Sequence, residues 1–165
     1  TYETTTKAGP DTGAMVQTRI THKDGGLLET TLVKTGKTGA DGKVTWGKEQ
    51  NKKGTPLGIR VFEGYVELGT GAAEAYWEPM LKIGGKPGDT WSWTKLGVGS
   101  KSSKVVRLEM LDGHPSAVIE VSGDKGKVNT ESTHVYVRGV GEVERTTKVT
   151  QNGVVSKFHM RLIEE

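Results

Sequence analysis

The chain has no cysteine, which excludes a disulfide, a thiolate zinc site and a cysteine nucleophile within these residues. Aromatics are scarce as well, at 6%, so each large ring is a rare means of filling a core. No apolar run approaches the roughly 20 residues that a transmembrane helix requires. Lys and Arg give a net charge of +3 but never form a block, and nucleic-acid binding calls for a clustered basic stripe with interleaved aromatics. Nucleic acid is therefore not expected as a partner. Hydrophobic residues reach only 33%, below the usual share for a globular domain. Charges of both signs are interspersed, so the shortage points away from disorder and toward a sheet with one wet face, where every second residue is apolar.

What is abundant is glycine, at 24 residues. Asp24-Gly25-Gly26, Asp41-Gly42, Asp112-Gly113, Asp124-Lys125-Gly126 and Asn152-Gly153 are hairpin signals, because tight hairpin turns need positive φ. Between them lie Thr- and Val-rich segments with a period of two. They predict strands near residues 1–7, 14–23, 27–35, 43–49, 58–68, 89–96, 103–111, 116–122, 131–138, 141–150 and 154–163. No segment sustains the helical spacing of apolar residues. Only 72–77 suits a helical turn, and Glu78-Pro79 stops it.

The expected fold is all-β: an antiparallel meander of about ten or eleven strands, forming one strongly curved sheet, a half-barrel or a two-layer sandwich. The chain reads as one domain over 1–165, with possible half-units 1–80 and 81–165 that meet in the Pro- and Gly-dense stretch after Glu78. Alternation places Trp91 with Trp93, Val106 with Leu108 and Met110, Ala117 with Ile119 and Val121, and Phe158 with Met160 and Leu162 on buried faces. Lys157, His159 and Arg161 are left to water.

Two phrases carry a resemblance. Glu78-Pro79 leads to Leu81-Lys82-Ile83-Gly84 and then Gly88-Asp89-Thr90-Trp91-Ser92-Trp93. Later, an aromatic strand at Tyr136 ends in Gly139-Val140-Gly141-Glu142-Val143. Together they resemble the punctuation of uncharacterised exported bacterial β-proteins, periplasmic, secreted or lipid-anchored. The resemblance covers mainly 77–93 and 136–145, and it departs from the pattern at Glu142 and Glu144, where an apolar and a basic residue are expected, and in a longer first loop. It implies an extracytoplasmic location and supplies no catalytic residue. The start at Thr1, without an initiator Met, fits a chain from which an export signal has been removed.

No catalytic constellation stands out. There is no Gly-x-Ser-x-Gly elbow, and no carboxylate pair sits in an apolar setting that would raise a pKa. The histidines, His22, His114, His134 and His159, lack the close spacing of zinc ligands and read as surface residues. Each Asp-Gly turn offers one carboxylate, too few for calcium. No metal and no cofactor are expected.

Three functions compete. The first is a non-catalytic envelope domain of structural or interaction type. The second is a carrier that cups a lipid or other hydrophobic ligand on the concave face of a half-barrel, with Trp46, Phe62, Tyr65, Trp77, Trp91 and Trp93 lining the groove. The third is a glycan-binding or hydrolytic β-scaffold module. A cavity of several hundred Å³ lined by those aromatics would favour the carrier.

Overall fold

The structure, a computed structural model, describes residues 2–8, 14–70 and 76–163. Within them every regular element is a strand: β1 (Tyr2–Ala8), β2 (Ala14–Lys23), β3 (Leu27–Thr38), β4 (Val44–Trp46), β5 (Lys52–Lys53), β6 (Leu57–Phe62), β7 (Tyr65–Thr70), β8 (Trp77–Lys82), β9 (Thr90–Lys95), β10 (Gly99–Leu111), β11 (His114–Lys125), β12 (Val128–Val137), β13 (Gly141–Gln151) and β14 (Val154–Ile163). Fourteen segments exceed the ten or eleven expected. No helix among the described residues is long and apolar enough to cross a membrane. Of the helical turn expected at 72–77, residues 72–75 lie outside the described residues, and Trp77 already opens β8.

In place of one strongly curved sheet, the chain divides into two compact units, Thr1–Ile83 with Arg161–Glu165 and Gly84–Met160. The division falls inside the Pro- and Gly-dense stretch. The first unit orders its strands β8-β7-β6-β3-β2-β1, with β4 and β5 paired to β3. The second orders them β14-β13-β12-β11-β10-β9. Within β1–β8 and within β9–β13 the strands pair antiparallel with chain neighbours or near neighbours, as the short glycine turns dictate.

The turns form where the sequence places them, with positive φ at Gly25, Gly26 and Gly42, at Asp112-Gly113, at Gly126 and at Asn152-Gly153. Glu63-Gly64 makes the same kind of turn, with φ of 47° and 84°. It splits the single strand expected over 58–68 into the β6–β7 hairpin, because glutamate is not a usual left-handed residue and signals no turn. Strand β8 was not anticipated at all. Pro79 argues against a strand, but it sits beside a register break, where the missing N–H is tolerated.

Among the described residues such breaks leave one residue unopposed at Val33 on β3, Met80 on β8, Val106 on β10 and Val143 on β13. An extra residue reverses which parity faces which side. Val105, not Val106, therefore shares a face with Ile119 and is 1% exposed. Leu108 and Met110 do lie on the face of Ala117 but are 51% and 64% exposed. The reason is positional: β9 pairs with β10 only as far as Lys104, so the hairpin beyond it overhangs.

The core is thin. Among the described residues, the buried apolar side chains are Trp91, Val105, Val118, Ile119 and Val137 in the second unit and Val33 in the first. Trp93, Val121, Phe158, Met160 and Leu162 are half-buried, while Lys157, His159 and Arg161 are exposed, as alternation requires.

Candidate functional site

The six aromatics proposed for a groove divide between the two units. In the first, Trp77 lies across the backbone of Gly58 and Gly69, where an added Cβ would stand 2.6 and 2.8 Å from its ring. Only glycine leaves room for the indole at these two positions. The Arg60 guanidinium stacks on Trp77 at 4.2 Å and on Phe62 at 4.7 Å, and its Nε donates to Glu67 at 2.7 Å. Tyr65 is the register partner of Phe62. These groups form a cation–π ladder on the β6–β8 hairpins rather than the wall of a cavity. Trp46 stands apart on β4, opposite Gly36, with Lys34 Nζ 5.0 Å over its ring. In the second unit Trp91 is a core residue, 8% exposed, and Trp93 is half-buried, opposite Lys101.

A hollow of about 600 Å³ opens on the other face of the second unit. None of the six aromatics lines it. Register builds it from two cross-strand rows. Thr90, Lys104, Glu120, Thr133 and Thr146 follow one another from β9 to β13, and Ser102, Ser122, Glu131 and Lys148 run beside them from β10. Lys148 Nζ meets Glu131 at 3.0 Å. The floor is thus hydroxyl-rich, with two lysines and two glutamates whose charges cancel. Such a surface offers many side-chain donors and acceptors, with Val121 also in its lining.

On the opposite face lies a part-buried polar cluster. His134 is 6% exposed and therefore no surface histidine. Its Nδ1 is 2.6 Å from Glu142 Oε1, its ring stacks on Tyr136 at 6.1 Å, and Arg145 Nε donates to Glu142 Oε1 at 2.8 Å. The second Glu142 oxygen accepts from the terminal guanidinium nitrogen of Arg145. In a regular strand Glu142 and Arg145, three apart, would point to opposite faces. The extra Val143 brings both to the His134 side.

Burial pushes the Glu142 carboxyl up, but the hydrogen bonds from His134 and Arg145 outweigh it and hold the group below its ordinary value. The cluster keeps this carboxylate ionised and engaged on both oxygens, the opposite of a raised general acid. Sequence reasoning saw Glu142 only as a departure from the family-like pattern. The bulge that gives it partners has no sequence signature.

Asp89 fulfils the turn role expected of it, accepting from the Lys86 N–H at 3.2 Å. His22 lies on β2 opposite Leu28, and His159 Nε2 is 2.8 Å from Glu144 on an exposed strand pair. No group of three or more His, Asp or Glu side chains is placed to hold a metal among the described residues. No family model, curated protein or solved structure matches the chain.

Proposed function

We propose that the chain is a non-catalytic, exported bacterial envelope domain of interaction type, which binds a polar partner over the hollow of its second unit. The exported, bacterial part of this reading rests on the resemblance carried by 77–93 and 136–145. The observation that carries the binding role is the lining of the hollow. Seven serine and threonine residues and two lysine–glutamate sets line it in register across the sheet, and they suit a hydrogen-bonding, hydroxylated partner such as a glycan. The carrier alternative loses the aromatic groove on which it rested, since none of the six aromatics lines the hollow. The hydrolytic alternative finds its strongest titratable cluster closed on itself, with Glu142 bound by both His134 and Arg145.

Amide shift perturbation with a panel of neutral and charged bacterial envelope glycans tests the reading. Shifts confined to the central parts of β10–β13, and removed by Lys104→Ala with Glu131→Ala, are the expected result. Turnover of a glycoside, ester or peptide substrate that Glu142→Gln abolishes would establish an enzyme instead.

A further inference from the structure

Antiparallel register brings three turns of the second unit to one end of its sheet. Residues 96–98 join β9 to β10, 126–127 join β11 to β12, and 152–153 join β13 to β14. Ser100 pairs with Asp124 and Val128 with Gln151, which sets the three turns at one level. The contact is close between the first two: a Cβ placed on Gly99 would lie 3.4 Å from Lys125 Cβ.

The side chains at this end are unusual for exposed turns. Leu96 is 98% exposed, Val154 63% and Val155 43%. Lys125 and Lys127 are exposed beside them, and Lys157 follows on β14. The acidic neighbour, Asp124, turns its Oδ1 to the Gly126 N–H at 3.2 Å within its own turn. The opposite end of the same sheet also exposes apolar residues, Leu108 and Met110, but its charges balance. There Arg107 is held by Glu109 at 2.8 Å, and Asp112 occupies the hairpin turn. A cationic excess combined with protruding aliphatic tips is found at the first end.

We propose that this end docks on an anionic lipid surface, with Leu96, Val154 and Val155 entering the headgroup region and the lysines facing lipid charge. The physical logic is that of interfacial binding, in which a modest buried apolar area and a short-range electrostatic attraction add. Neither suffices alone: three aliphatic tips bury little area, and a few lysines attract any polyanion. The proposal uses a different surface from the polar hollow and stands or falls independently of it.

Cosedimentation of the full chain with vesicles tests it, comparing phosphatidylcholine alone with mixtures containing about one-third phosphatidylglycerol, a density that gives a strongly negative surface. Binding is expected to the anionic vesicles and not to the neutral ones, and it should fall steeply with added salt. At about fivefold per lysine near a charged bilayer, Lys125→Gln with Lys127→Gln lowers the partition coefficient about 30-fold. Leu96→Ser lowers it roughly tenfold through lost apolar transfer, and Lys125→Arg with Lys127→Arg retains it. All of these positions are exposed, in a turn or at a strand end, and an unchanged far-UV circular dichroism spectrum verifies folding. The proposal is overturned by absent binding, by equal binding to neutral vesicles, or by full retention in the glutamine or serine variants. Competition by soluble polyglutamate with no effect of Leu96→Ser also overturns it, since the end would then bind acidic polymers rather than a membrane.

Discussion

At the residue scale, Glu142 shows how one side chain is held by competing effects. Desolvation favours its neutral form, and three polar contacts from His134 and Arg145 favour the ionised one more strongly. Its folded pKa is therefore depressed. A depressed carboxylate contributes stability that is fully present above its unfolded pKa and is lost as pH falls through the folded value. Glu142→Gln is expected to cost about 2 kcal/mol at neutral pH, the range for hydrogen bonds to charged groups. It should also flatten the loss of stability in the window below the ordinary carboxylate range, because glutamine takes up no proton there. Urea unfolding of both proteins from neutral pH down into the acid range measures the two effects together. Parallel acid profiles for the two proteins would show that Glu142 is not the linked group.

At the element scale, β10 separates alternation from burial. Its sequence reads as one apolar face of Val106, Leu108 and Met110, yet the residue that fills the core is Val105. The bulge at Val106 accounts for the change of parity, and the short reach of β9 accounts for the exposed end. Val105→Ala is expected to cost about 2 kcal/mol, the lower end for truncating a buried aliphatic side chain. Met110→Ala should stay within about 0.5 kcal/mol, as at an ordinary surface position. Thermal unfolding midpoints of the two variants decide it, and equal costs would restore the unbulged register. The turns tell the complementary story. Asp112-Gly113 and Asn152-Gly153 are legible because Asp, Asn and Gly tolerate left-handed backbone. Glu63-Gly64 is not, because glutamate adopts φ of 47° only where the pairing of Phe62 with Tyr65 demands it.

At the scale of the whole molecule, burial is unevenly shared. Among the residues whose side chains are described, five of the six buried apolar ones belong to the second unit, and the one in the first is Val33, itself a bulge residue. Opening free energies follow buried contacts, so native-state hydrogen exchange should be slowest at the amides around Val105, Val118 and Ile119. Those amides should exchange at least about tenfold more slowly than the strand amides of β6–β8. Uniform protection across both units would mean that the first is stabilised by something other than a packed core.

The all-β class, the glycine turns, the exposed Lys157-His159-Arg161 face and the core role of Trp91 and Ile119 follow from local rules. A period of two and the φ demands of a turn act within a few residues, so the amino-acid sequence by itself determines them. The polar hollow and the His134–Glu142–Arg145 cluster do not follow. The hollow gathers side chains from five strands, and which residues stand side by side depends on register across all of them. The cluster depends on one unopposed valine, since Val143 turns an i,i+3 pair that local geometry would separate onto a single face. Bulges are decided by what the neighbouring strand can pair with and what lies beneath, and that information exists only once the sheet has assembled.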